Sequence, residues 1–152
     1  MNISITHRVM LAILAMVMVK FTYAGDDCVG LSKVLPATPL QKSFIEAVID
    51  LWKSNPDKAS CSSYASVADA AINGNKISGR RLEDKKELNI AQAQANLDKA
   101  LADPAIRKRI EAVNEQVSDD KVRMYLEAVI LDEEGFYGAR NLRIKQLGDK
   151  LK

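Results

Sequence analysis

Beyond residue 37, apolar residues return at intervals of three and four, and no stretch of useful length alternates with a period of two. A half-buried strand needs the period-two pattern, whereas an amphipathic helix needs the longer one. The chain therefore reads as all-α: a single-domain bundle of five or six helices behind an irregular N-terminal arm. The arm, 25–37, contains Gly30 and Pro36 and carries no helical period.

Local signals place the helices. Thr38-Pro39-Leu40-Gln41 opens the first, with Thr38 as N-cap, Pro39 at the first position and Gln41 closing a capping box. Leu40, Phe44, Val48 and Leu51 form its stripe, which Ile45, Ile49 and Trp52 widen, and it ends near Ser54. Asn55-Pro56 restarts the chain as a short helix whose inner side carries Cys61, Tyr64, Ala65, Ala68, Ala71 and Ile72, up to Asn73-Gly74. A loop follows, marked by Asn75 and Ser78-Gly79. The third helix is expected to start at Arg80 or Arg81 and reach Ala102, with Leu82, Ile90, Ala93, Leu97 and Leu101 on its face and Lys86 interrupting. Asp103-Pro104 caps the next, Ser118 caps another, and Gly135 and Gly138 break the pattern around Phe136-Tyr137. A last helix carries Ile144, Leu147 and Leu151.

Residues 1–24 read as a secretory signal peptide. Arg8 supplies positive charge, 9–19 is an apolar run too short to span a bilayer comfortably, and Thr22 and Ala24 suit a cut after Ala24. The helical domain would then be 25–152. The segment holds two of the 22 basic residues, Arg8 and Lys20, and no acidic one, which leaves 20 basic against 20 acidic. A balanced chain has no global field to draw it onto nucleic acid or anionic lipid. No stable membrane anchor is expected once the segment is removed. The expected location is secreted or periplasmic.

The only histidine is His7, inside that segment. The domain therefore excludes Ser-His-Asp and Cys-His catalysis and the histidine-dependent zinc and di-iron sites. No metal site and no cofactor is expected. Cys28 and Cys61 are the two cysteines, and an exported chain with two cysteines pairs them. A bridge closing a loop of this length contributes about 3–4 kcal/mol in the chain-entropy account.

Few constellations carry chemistry. Asp132, Glu133 and Glu134 precede the Gly135-Phe136-Tyr137-Gly138 turn. Two such carboxylates can do acid/base work on a sugar, but a solvated cluster at a helix end is the expected role. The basic residues, including Arg107-Lys108-Arg109, Arg140 and Arg143, are expected to be solvated or paired with the acidic stretch 127–134. Trp52, at helical spacing inside an apolar run, is expected in the core. Should some of the apolar surplus stay exposed, a patch near Trp52 or around Phe136 and Tyr137 is the candidate binding surface.

A short stretch, Val67-Ala68, Ile77 and Glu83, resembles part of the secreted chorismate mutases, a family of exported, all-α and often disulfide-bonded enzymes. The resemblance covers under twenty residues. Ala71, Lys76 and Leu82 stand where that family has lysine, proline and arginine, so the cations that would bind a dicarboxylate substrate are not matched.

The expected function is thus an exported helical interaction module: an inhibitor, an immunity-type neutraliser, an accessory factor or a chaperone, with another protein as partner. The alternatives are a small-ligand carrier and a carboxylate- or cation-based enzyme such as a chorismate mutase-like protein. An enzyme would set Glu133 or Glu134 beside a concave pocket with an Arg or Lys. An interaction module would instead expose an apolar patch.

Overall fold

The computed structural model describes residues 28–57, 60–74 and 88–152. The expected signal segment, the loop at Asn75 and Ser78-Gly79, and the stretch with Ile77, Leu82, Glu83 and Lys86 fall outside the described residues. The described chain is all-α, with seven helices and no strand among those residues. They are α1 (Val29–Ser32), α2 (Pro39–Ser54), α3 (Cys61–Asn73), α4 (Ile90–Ala102), α5 (Pro104–Gln116), α6 (Asp120–Glu133) and α7 (Tyr137–Lys150). The first is a single turn inside the arm.

Side chains fix most helix starts. Thr38 Oγ1 accepts from the Gln41 amide at 3.2 Å, and Gln41 Oε1 reaches back to accept from Ala37 N at 2.8 Å. This is the expected capping box, with its return bond moved one residue upstream. Asp103 Oδ1 accepts from the amides of Ala105 and Ile106, ahead of Pro104 at the first position of α5. These bonds satisfy amides that have no partner within the helix.

Four starts differ from expectation. Pro56 opens no helix: Asn55 N–H closes α2 on Trp52 O, Ser60 donates its amide and hydroxyl to Asp57, and α3 begins at Cys61. Asn89 begins α4 at Ile90, well after Arg81, because its side chain accepts from Gln92 N. Asp119, not Ser118, caps α6. Its carboxylate takes the amides of Lys121 and Val122, and a carboxylate is the stronger acceptor at a positive helix end. Gly138 lies inside the first turn of α7 rather than in the break before it. A Cβ there would stand 3.3 Å from Asn96 Oδ1, so the position serves close approach to α4. Gly135 does turn the chain, at φ +81°, a conformation that side chains disfavour.

The packing centres on α6, which touches α2, α3, α5 and α7; α7 also packs on α3 and α4. Two buried clusters result. The first joins α1, α2 and α3 to the middle of α6 and the end of α7, through residues such as Leu31, Phe44, Val48, Val67, Tyr125 and Leu147. The second joins α4 and α5 to the end of α6 and the start of α7, through Ala93, Leu97, Ile106, Ile110, Leu131 and Leu142. Cys28 and Cys61 are bonded, with Cα atoms 5.5 Å apart, and tie the arm to the start of α3.

Candidate functional site

Five segments frame an open cleft of about 380 Å3. The end of α2, the turn at Asp57 and Ser60, and the first turn of α3 form one side. The middle of α5 and the last turns of α6 form the other. Val113, Val117, Leu126 and Val129 supply its apolar surface, and Asp57, Tyr64, Arg109 and Glu133 its polar groups.

Arg109 is held at both terminal nitrogens. Nη1 donates to Glu134 Oε1 and Nη2 to Glu133 Oε2, each at 2.8 Å. Burial works against the guanidinium charge. The hydrogen bonds and charges of the two carboxylates more than offset it, so Arg109 sits above the ordinary arginine value. Tyr64 is also pushed up, chiefly by burial and further by the charges of Glu133 and Asp57. Its phenol is therefore a protonated donor throughout the neutral range, not a base.

An aromatic ladder supports Tyr64 from behind. Its ring meets Trp52 edge-on at 5.1 Å and Tyr125 at 5.6 Å, and Tyr125 meets Phe44 at 5.6 Å. Tyr125 donates its hydroxyl to Tyr64 O at 2.8 Å, and its complete burial holds the phenol well above its usual value. Edge-to-face contacts of this kind add about 0.5–1.5 kcal/mol each beyond burial.

The acidic run is divided by the helix it ends. Asp132 turns inward, where Oδ1 accepts from Arg140 Nη1 at 2.5 Å and Oδ2 from Ser63 Oγ at 2.6 Å. Arg140 is 1% exposed, donates again to Asn141 Oδ1, and lies over the Tyr137 ring at 4.6 Å. Glu133 and Glu134 turn outward to Arg109. The expected pairing of basic residues with 127–134 is thus present: Arg143 Nε also lies 3.0 Å from Glu127, though too poorly aligned for a hydrogen bond.

The remaining candidates are placed as follows. Trp52 is 3% exposed and its indole fills the first cluster, so it packs in the core as expected and offers no surface of its own. Phe136 is half-buried against the second cluster, and Tyr137 is 37% exposed. Neither lines the cleft. Val67, Ala68 and Ala71 are buried packing residues rather than parts of a substrate site. Among the described residues no group of His, Cys, Asp or Glu is arranged to hold a metal ion, and no helix is long and apolar enough to cross a membrane.

The cleft residues Asp57 and Tyr64 were not singled out by sequence, and Arg109 appeared only as one member of a basic run. Arg109 and Glu133 meet across two helices, which no local spacing reports. The one available hint was the acidic run at 132–134, of which Glu133 does reach a concave surface beside an arginine. Comparison with protein-family models, with curated proteins and with solved structures gave no match to this chain.

Proposed function

We propose that the protein is an exported interaction module and that the α2–α3–α5–α6 cleft is its recognition surface for another protein. The observation that carries this reading is the make-up of the cleft: an apolar wall, a protonated phenol and an ion pair already satisfied within itself. Such a surface binds by shape and by a few placed polar groups. Export is supported by the character of residues 1–24 and by the Cys28–Cys61 bond, which persists in an oxidising compartment.

A second reading has its own support. Glu133 stands beside an arginine at a concave surface, the arrangement expected of a carboxylate-based enzyme. Against catalysis, the Glu133 oxygen nearest Arg109 is engaged in the pair, and Tyr64 is held as a donor.

Gln116 is an exposed position on the cleft lining, so Gln116→Trp obstructs it without touching the core. Affinity capture from the native envelope or medium should recover a partner with the wild type and lose it with Gln116→Trp, at unchanged helical circular dichroism. Equal recovery by both would move the interface elsewhere. A small molecule retained by the wild type in native mass spectrometry would favour the second reading.

A further inference from the structure

We infer that the cleft takes an uncharged aliphatic residue of a partner protein, with its side chain on Leu51, Val113 and Val117 and its main-chain carbonyl accepting a hydrogen bond from the Tyr64 hydroxyl. This rests on the cleft being the recognition surface proposed above.

The charged groups of the lining are already engaged. Both terminal nitrogens of Arg109 donate to Glu133 and Glu134, each at 2.8 Å. Asp57 accepts from the Ser60 hydroxyl at 2.9 Å and has a further partner. A charged ligand of either sign would compete with contacts that the protein makes within itself. A neutral one leaves them intact.

Tyr64 is different. Its main chain is engaged, with N–H donating to Ser60 O and its carbonyl accepting from the Tyr125 hydroxyl. Its own hydroxyl meets no hydrogen-bond partner among the described residues. Glu133 and Asp57 act on this phenol through their charge alone, and both line the cleft, so the hydroxyl end of the ring is the end turned towards it. The ring itself is wedged against Trp52 and Tyr125. The donor is therefore in place before a partner arrives, and little side-chain freedom is lost on binding. A carboxylate acceptor would meet the charges of Glu133 and Asp57. A carbonyl oxygen would not.

The apolar part of the lining supplies the rest. Leu51, Val113 and Val117 are half-buried and keep hydrocarbon surface open to a ligand. Covering that surface removes it from water. A peptide residue joins the two needs, because every aliphatic side chain sits beside a main-chain carbonyl that requires a donor once buried. A cleft that is open rather than enclosed suits a residue delivered on a larger chain.

The test is an NMR titration of the 15N-labelled, disulfide-bonded protein with capped tripeptides. These carry alanine at both ends and leucine, lysine or glutamate at the centre, and isovaleramide serves as a free neutral amide. The leucine peptide should shift the amides of Leu51, Tyr64, Val113 and Gln116 and bind more tightly than the other three probes, and high salt should not weaken it. Tyr64→Phe keeps the ring and its edge-to-face contacts and removes only the hydroxyl. It should weaken the leucine peptide about fivefold at unchanged helical circular dichroism, the loss of one net hydrogen bond. Equal binding by Tyr64→Phe would overturn the role of the hydroxyl while supporting the cleft as a recognition surface. A lysine or glutamate peptide that binds as tightly as leucine would overturn the preference for an uncharged residue. Isovaleramide binding as tightly as the peptide would overturn the claim that the carbonyl arrives on a protein. If no probe moves the cleft amides, the inference fails, and the Gln116→Trp capture comparison alone decides the cleft.

Discussion

The two buried clusters are stabilised by different means. The first is aromatic and covalently tied: Phe44, Trp52, Tyr64 and Tyr125 interlock edge to face, and Cys28–Cys61 fastens the arm to α3. The second has no aromatic residue among its fully buried members and relies on alanine, isoleucine and leucine. Side chains this small or flexible fill space without fixing orientation. Polar contacts do that instead. Asn96 of α4 accepts from the Ala139 amide at 2.9 Å, capping α7 from a neighbouring helix, and the buried Asp132–Arg140 pair spans the turn between α6 and α7. A covalent bond can hold an irregular arm that has little surface of its own to bury. Helices with bland faces need directional bonds to choose one register.

The largest effect should come from breaking the polar device. Arg140→Ala leaves the Asp132 carboxylate buried without its counter-charge, and a loss of about 3–5 kcal/mol is expected in urea denaturation. Replacing both Asp132 and Arg140 by leucine and methionine should cost far less than Arg140→Ala alone. If it costs as much, the second cluster uses the pair for stability rather than for orientation, and the contrast drawn above is wrong.

Removing the covalent device should cost somewhat less. Cys28→Ser with Cys61→Ser is expected to lower stability by about 3 kcal/mol. Hydrogen exchange should speed first in α1 and the start of α3, and least in α4 and α5. Uniform acceleration across all helices would erase the distinction between the two regions.

Smaller again is the cap supplied across helices. Asn96→Ala should cost about 1 kcal/mol, the usual value of a helix cap. It should also expose the Ala139 amide to exchange more than any amide of α2, whose own cap is Thr38.

The smallest effect concerns Glu127 of α6, which faces Arg143 of α7. Burial raises the Glu127 carboxyl above its usual range, against the opposing pull of Arg143. An acid whose folded value is raised favours the folded state below the unfolded value. That contribution is lost as pH rises through the folded value. Glu127→Gln should therefore flatten the decline of stability just above the ordinary glutamate range, read from melting temperature against pH. An unchanged slope would mean that Arg143 fully compensates the burial.

The first cluster was the more legible in sequence, for a physical reason. Thr38-Pro39, the wide stripe from Phe44 to Trp52 and the two cysteines are local or pairwise signals, and each was read as it stands in the structure. The second cluster was not. The start of α4 rests on a single asparagine that looks like loop punctuation, and Gly138 reads as a breaker unless Asn96 is known to face it. The candidate site was least legible. Arg109 and Glu133 lie on different helices, Asp57 and Tyr64 on a turn and a helix with other duties, and only the packing of α6 against α2, α3 and α5 brings them to one cleft. Of the acidic run, sequence saw the crowding but not the division, because whether Asp132 points inward depends on Arg140 one turn into the next helix.

Ser63, whose hydroxyl holds Asp132, comes two residues after Cys61 in the same first turn of α3. The turn clamped by sulfur is thus the turn that completes the polar lock of the opposite half. One turn of α3 serves two places at once: the sulfur bond fixes where it sits against the arm, and the hydroxyl two residues on meets the carboxylate that Arg140 also holds.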